Sequence, residues 1–160
     1  PAIAVLAAEP VPDDFHARFS ATSRRYRYHI INRRARLGVL ANRAWQVPEP
    51  LDVSAMREGA KPLIGQHDFT SFRDSQCQAK SPVKTLDTLS LHAHGEEIVV
   101  EVGARSFLHH QVRNIVGTLV LVGKGSWQPD DVKKALAARD RKAAGPTAPP
   151  DGLYLTQVGY

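Results

Sequence analysis

Hydrophobic and polar side chains alternate with a period of two between Thr22 and Asn32. One set comprises Tyr26, Tyr28 and Ile30, and the other comprises Arg25, Arg27 and His29. Because successive side chains of a strand point to opposite faces, this pattern predicts a β-strand with one apolar and one basic face.

Further strands are predicted near 44–47 and over 86–93, 98–102 and 153–158. The run His94-Gly95-Glu96 is suited to turn the chain between the second and third of these. Residues 65–82 have no sustained period and many polar groups, so we expect a long irregular connection there. Loops of this length in compact domains are commonly functional.

Two helices are predicted from their start signals. Asp52 is a suitable N-cap for a helix with an apolar stripe, and Pro62 ends or kinks that helix. Pro129, followed by two acidic residues, starts another helix. We predict Val132, Leu136 and Arg139 on one side of this helix.

A third helix is predicted from about residue 105 to 124, closed by Gly123 or Gly125. Its apolar stripe comprises Leu108, Val112, Ile115, Val116 and Leu119. His109 and Arg113 fall together on the border of this stripe. A guanidinium there either pairs with a carboxylate or phosphate or places its head in water, and the helix alone leaves both possibilities open.

Strands and helices are mixed without strict alternation, which favours an α+β fold for residues 1–160 as a single domain. We expect a mostly antiparallel sheet with the helices packed on one face. No apolar stretch approaches the roughly 20 residues that span a membrane. Cys77 is the only cysteine, which excludes an intrachain disulfide and fits a reducing, cytoplasmic location.

The charge balance indicates a polyanionic partner. The 160 residues contain 21 Lys and Arg against 16 Asp and Glu, giving a formal net charge of +5. Arginine and tyrosine are interleaved over 15–28, as in surfaces that bind phosphates and stack on unpaired bases. The competing interpretation is a strand whose tyrosines face the core and whose arginines are solvated, but the arginine density favours RNA.

Signals for other chemistries are weak. His109 and His110 are adjacent and so diverge on a helix, which does not favour a metal site. The chain has no Gly-x-Ser-x-Gly elbow and no Gly-rich phosphate loop. We therefore expect neither a metal nor a nucleotide cofactor.

Four strings carry a family resemblance: FHARFSATSRRYRY at 15–28, GQHDFTSFRDSQCQAKSPVKT at 65–85, FLHHQVRNIVGTLVLVGKG at 107–125 and APPDGLYL at 148–155. In this order, and nearly end to end, they resemble the C-terminal half of the TruA family of tRNA pseudouridine synthases. The family's nucleophilic Asp lies in a Gly-Arg-Thr-Asp run in the other half. None of the aspartates here has that context, and Asp68 is no substitute.

The resemblance implies roles for individual positions. Tyr26 matches the tyrosine that packs against the target base, and Arg113 matches the basic residue that pairs with the catalytic Asp. Leu153 and Leu155 match the wall of the uridine pocket. Contacts with tRNA are implied for Arg18, Arg24, Arg25, Lys80 and His110.

The resemblance also implies a pseudouridine synthase-like half domain that acts on the anticodon arm of tRNA, without metal or organic cofactor and as a homodimer. Because the nucleophile is missing from residues 1–160, we expect this segment alone to be inactive. The alternative is a noncatalytic RNA-binding module that keeps the surface without the chemistry.

Overall fold

A computed structural model describes residues 3–160, which form a six-stranded mixed sheet with three helices. The strands are β1 (Ser23–Asn32), β2 (Trp45–Val47), β3 (Gly65–Asp68), β4 (Val83–His94), β5 (Glu97–Ala104) and β6 (Leu153–Gly159). The helices are α1 (Val53–Ala60), α2 (Gln111–Gly123) and α3 (Pro129–Ala138). The expected α+β class is therefore confirmed.

Strand β1 organises the sheet, whose order is β2-β1-β5-β4-β3. One edge of β1 pairs antiparallel with β5 along nearly its whole length. The other edge is shared: β6 pairs antiparallel with the first part of β1, and β2 pairs parallel with its end. The β1–β2 pair is the parallel one, so the sheet is mostly antiparallel as expected.

The hydrophobic core lies between one face of the sheet and the helices. Tyr28 and Ile30 of β1 are fully buried there, beside apolar residues of β4 and β5 and of the helices. Arg25 and Arg27 lie on the opposite, exposed face. The two faces predicted for β1 from its alternation are confirmed.

Helix α1 begins and ends as its sequence predicts. The Asp52 side chain accepts a hydrogen bond from the Ala55 N–H at 3.0 Å, which caps the helix. The helix ends at Ala60, and Pro62 lies in the 3₁₀ turn that follows. Proline lacks the N–H that a continuing α-helix requires.

The predicted start of α2 near residue 105 is wrong, because the helix begins at Gln111. His110 has a left-handed backbone with φ of 58°, which interrupts any helix passing through it. Leu108 is buried, but it contributes to the core from the linking segment before the helix. His109 therefore does not share a helix edge with Arg113. At the other end, Gly125 takes the left-handed conformation that closes the helix.

Two smaller predictions also need correction. Residues 65–82 are not wholly irregular, since β3 pairs with β4 and a 3₁₀ turn follows over Thr70–Phe72. Backbone pairing with β4 stabilises this short polar strand, which has no hydrophobic period of its own. Arg139 does not share a side of α3 with Val132 and Leu136: it follows the helix with φ of 51° and is exposed.

Among the helices of residues 3–160, none has the length and apolar character needed to cross a membrane.

Candidate functional site

A cavity of about 970 Å³ opens beside the first half of β1. The segment 105–110 and the first turn of α2 form one wall, and the loop around Cys77 and the turn before β1 form others. Its positively charged lining residues are Arg18, Arg24, Lys84, Arg105 and Arg113. Within residues 3–160, no aspartate or glutamate lines it. The cavity is therefore suited to an anionic ligand.

Arg113 lies in the first turn of α2, where the loop 145–149 holds it. Its Nε donates to the Ala148 carbonyl oxygen at 2.6 Å, and the Ala148 N–H donates to the Arg113 carbonyl at 3.1 Å. Gly117 allows this close packing, since a Cβ there would be 1.8 Å from the Pro146 oxygen. Across the described part of the chain, Arg113 forms no salt bridge. Its terminal nitrogens remain available to an anion.

Tyr26 and Tyr28 of β1 have different environments despite their shared face. Tyr26 is half-buried at the cavity wall, and its ring meets Phe107 edge to face with centroids 5.2 Å apart. Tyr28 is fully buried, and its hydroxyl donates to the Pro149 carbonyl at 2.7 Å. Burial raises the pKa of Tyr28, and the nearby charge of Arg113 only partly opposes this shift. Tyr28 is a neutral structural group, whereas Tyr26 is placed to contact a ligand.

Leu153 and Leu155 lie on β6 opposite Tyr28 and Tyr26. Leu153 lines the cavity, but Leu155 does not and is 53% exposed. The structure thus places one of the two predicted wall residues in the cavity.

The residues expected to contact tRNA are divided by the structure. Arg18, Arg24 and His110 line the cavity, whereas Arg25 and Lys80 are exposed outside it. The Arg24 guanidinium donates to the carbonyl oxygens of Ala21, Arg18 and Arg105, so it holds together two segments of the cavity wall.

Sequence reasoning missed Lys84, Arg105 and Phe19 as cavity residues. Lys84 lies within the 65–85 string that carries the resemblance, and Phe19 lies within the 15–28 string. Arg105 directly follows β5, so its position depends on where that strand ends. The family strings contain Lys84 and Phe19, but they do not distinguish residues that line the cavity from their neighbours.

His110 is oriented by Asp74, a contact that joins residues far apart in sequence. His110 Nδ1 lies 2.8 Å from Asp74 Oδ2, and the His109 ring stacks on that of His110 with centroids 3.8 Å apart. Hydrogen bonds from the Gln76 N–H and from His110 lower the pKa of Asp74 below its usual value, outweighing the opposite effect of desolvation. The carboxylate is therefore ionised at neutral pH and positions His110 at the cavity edge.

Within residues 3–160, the group that could hold a metal ion comprises Asp74, His109 and His110, whose ligand atoms lie within 4.8 Å of one another. Asp74 already accepts from the Gln76 N–H at 2.8 Å and bonds to His110, so its charge has partners without an ion. The expectation of no metal stays a prediction.

The comparisons with known proteins place this geometry in a family. A family model described as tRNA pseudouridine synthase matches residues 60–160. A tRNA pseudouridine synthase A of Paramagnetospirillum magneticum is 62% identical over 158 residues, which cover 99% of this chain and 62% of that protein. Proteins of the same name from Rhodopseudomonas palustris strain BisA53 and Parvibaculum lavamentivorans are 61% and 58% identical over the same share of this chain.

This chain spans 62% to 64% of the length of these curated relatives. The matched residues include the cavity-lining segments from Gln76 to Leu153. Both the family match and the extent of identity lead to the same assignment: the chain belongs to the tRNA pseudouridine synthase family.

Proposed function

We propose that this chain is the C-terminal part of an enzyme that isomerises uridine to pseudouridine in the anticodon arm of tRNA. The observation that carries the proposal is the cavity with five cationic residues and, among residues 3–160, no acidic one. Such a cavity attracts the RNA backbone, and it leaves Arg113 ready to pair with a carboxylate supplied from outside these residues.

Arg113 takes the role of positioning the nucleophilic Asp. A nucleophilic carboxylate has to stay ionised in a pocket that excludes water, and an adjacent guanidinium lowers its pKa. The 2.6 Å bond from Nε to Ala148 fixes the orientation of the Arg113 head. Its remaining nitrogens are free for a two-point contact with the carboxylate.

Tyr26 takes the role of packing against the target base. A uridine that leaves the RNA stack loses its stacking partners, and an aromatic face in the pocket replaces them. Phe107 supports Tyr26 edge to face, and Leu153 forms the neighbouring wall. Leu155, exposed in this chain, completes the wall where the rest of the enzyme covers it.

The tRNA track comprises Arg18, Arg24, Arg25, Lys80 and His110. Arg18 and His110 contact the RNA at the cavity, and Arg24 acts in part by fixing the wall. Arg25 and Lys80 lie outside and contact more distant phosphates. The proposed enzyme is a cytoplasmic homodimer that needs neither a metal nor an organic cofactor.

The test compares the complete protein with residues 1–160. Each is incubated with an unmodified tRNA transcript, and pseudouridine is detected by carbodiimide labelling and primer extension. We expect product from the complete protein, and RNA binding without product from residues 1–160. Product from residues 1–160 would contradict the missing nucleophile, and its absence from the complete protein would overturn the proposed activity.

A noncatalytic RNA-binding module is the second candidate, supported by the absence of an acid from the cavity lining within the described residues. It predicts that the complete protein binds the transcript without modifying it. A Gly-Arg-Thr-Asp run encoded upstream of Pro1 would favour the enzyme over the binding module.

A further inference from the structure

Phe19 presents an aromatic ring to solvent at the cavity. It is 74% exposed, yet it lines the cavity together with Arg18 and Arg24. Aromatic rings contribute most to stability when they are buried, so this ring adds little to the core. Packing within residues 3–160 therefore does not explain why an aromatic residue occupies this position.

The turn that carries Phe19 is held by a dense set of hydrogen bonds. The N–H groups of Arg18 and Phe19 both donate to His16 Nδ1, at 3.1 and 3.3 Å. The His16 N–H donates to Ser20 Oγ at 3.0 Å, and the Ser20 N–H donates to the His16 carbonyl at 2.8 Å. From the next strand, Arg24 donates to the Arg18 carbonyl.

These bonds order a short turn whose apolar side chain remains outside. Fixing each backbone residue costs about 1 to 2 kcal/mol of conformational entropy. A turn whose backbone is already ordered loses less freedom when a ligand packs on its side chain, so this order favours binding. The centroid of the His16 ring lies 4.4 Å from that of Phe19, and the two ring planes are tilted by 41°, so the rings are in contact.

The surroundings of Phe19 match the chemistry of RNA. The Arg18 guanidinium carbon lies 5.6 Å from the ring centroid, and the cationic lining of the cavity continues beyond it. An aromatic ring beside cations that can bind the phosphate backbone is the arrangement that holds single-stranded nucleic acid. A protein surface that covered Phe19 would also have to neutralise Arg18 and its cationic neighbours.

We propose that Phe19 is a stacking platform for an unpaired RNA base that flanks the nucleotide taken into the cavity. This inference rests on the proposed function, because it assigns the neighbouring nucleotide of the same substrate. Tyr26 packs against the target base inside the cavity, whereas Phe19 holds the next base outside it. The two rings thus contact neighbouring bases of one RNA strand.

The test measures binding of the 160-residue chain to a fluorescently labelled anticodon stem-loop RNA. Phe19→Ala is expected to weaken binding roughly tenfold, because stacking on one aromatic side chain is worth about 1 to 3 kcal/mol per base. Phe19→Leu keeps apolar area but no aromatic face and weakens binding similarly, whereas Phe19→Trp keeps full affinity. Val39→Ala, at a residue 90% exposed and outside the cavity lining, is the matched control and leaves affinity unchanged.

A second readout follows the base directly. In the Phe19→Trp chain, RNA quenches fluorescence beyond the quenching of Trp45 and Trp127 that the parent chain records. Unchanged affinity in Phe19→Ala overturns the inference, and if the oligomeric state of the complete protein changes instead, Phe19 belongs to a protein interface. Failure of the parent chain to bind RNA overturns the RNA-binding part of the proposed function as well.

Discussion

Among residues 3–160, the arginines on the two sides of strand β1 have different partners. On the outer face, Arg27 contacts Glu101 at 2.6 Å and His29 contacts Glu97 at 2.7 Å, both acids coming from β5. On the cavity side, Arg24 donates only to backbone carbonyls, and Arg113 donates to Ala148. The positions of the acidic residues therefore indicate where an anion can bind better than the net charge of the chain does.

The partner of each cation determines whether that cation can bind a ligand. An exposed ion pair contributes little to stability, but it cancels the field of its cation at the surface. An arginine held by carbonyl oxygens keeps its full charge, since those partners are neutral. The cavity thus concentrates positive potential, to which the paired Arg27 on the outer face contributes little.

Arg113→Ala in the complete protein is expected to produce the largest effect. Under the proposed function turnover falls by at least about a hundredfold, because the variant removes the proposed partner of the nucleophilic Asp, and breaking a buried ion pair costs about 3 to 5 kcal/mol. Binding of tRNA weakens much less, since the proposed partner of Arg113 is the catalytic carboxylate and not the RNA. Single-turnover pseudouridine formation and tRNA affinity measure the two effects.

Arg27→Ala is the control for this prediction, because Arg27 is an arginine of β1 that is already paired with Glu101. It leaves turnover unchanged. Comparable losses of turnover and affinity in Arg113→Ala would instead make Arg113 a phosphate contact.

Neutralising two cations on each side compares the two regions directly. The double variant Lys84→Gln/Arg105→Gln is expected to reduce the slope of log affinity against log salt by about 1.4, since each single-strand phosphate contact contributes about 0.7. The double variant Arg27→Gln/Arg33→Gln removes the same charge from cations paired with Glu101 and Glu96, and it leaves the slope unchanged. Equal reductions of the slope in both double variants would show that RNA affinity depends on the net charge of the chain and not on the position of the cations.

Tyr28→Phe tests the contribution of the buried, neutral Tyr28 hydroxyl to stability. Loss of the bond to Pro149 lowers the free energy of unfolding by about 1 kcal/mol at pH 7. Burial raises the folded pKa of Tyr28 above its unfolded value of 10.0, so its contribution is complete below pH 10 and is lost as the pH rises further.

The stability difference between parent and Tyr28→Phe should therefore narrow above pH 10. Urea unfolding at pH 7 and pH 11 measures it. A difference that widens with pH would mean that Tyr28 ionises more readily in the folded protein than in the unfolded one.

Glu101→Gln gives the smallest expected effect. It releases Arg27 on the outer face, where both partners are nearly half exposed, so the free energy of unfolding changes by less than about 0.5 kcal/mol. Its tRNA affinity is expected to stay close to that of the parent. A large gain in affinity would show that Arg27 also contacts the RNA once it is unpaired, so that pairing with acid, and not position, keeps it from binding.

Regular patterns allowed much of this fold to be predicted. The alternation in β1 and the Asp52 cap of α1 appear in the structure, because periodicity and capping depend on residues close in sequence. The start of α2 was misplaced, since Leu108 continues the apolar stripe while the left-handed backbone of His110 stops the helix. Hydrophobic periodicity carries no information on the sign of φ.

The candidate site was predictable only where a motif marked it. The family strings directed attention to Arg113 and Tyr26, and the structure places both at one cavity. The contact of Asp74 with His110 depends on how the loop folds back on the start of α2, which no local pattern records. Lys84 and Arg105 likewise enter the site through strand ends, whose limits single sequences define poorly.

The pairing of β1 with β6 has a consequence for the order in which the site is made. Tyr26 lies opposite Leu155, so two cavity-side strands that are neighbours in space are among the first and last regular elements of the described chain. Closing so long a loop is slow compared with forming the β4–β5 hairpin. During synthesis the basic wall around Arg24 is translated before all three helices, whereas its apolar counterpart at Leu153 is translated after them. A nascent chain can thus carry the charge that attracts RNA before it has the pocket that selects a base.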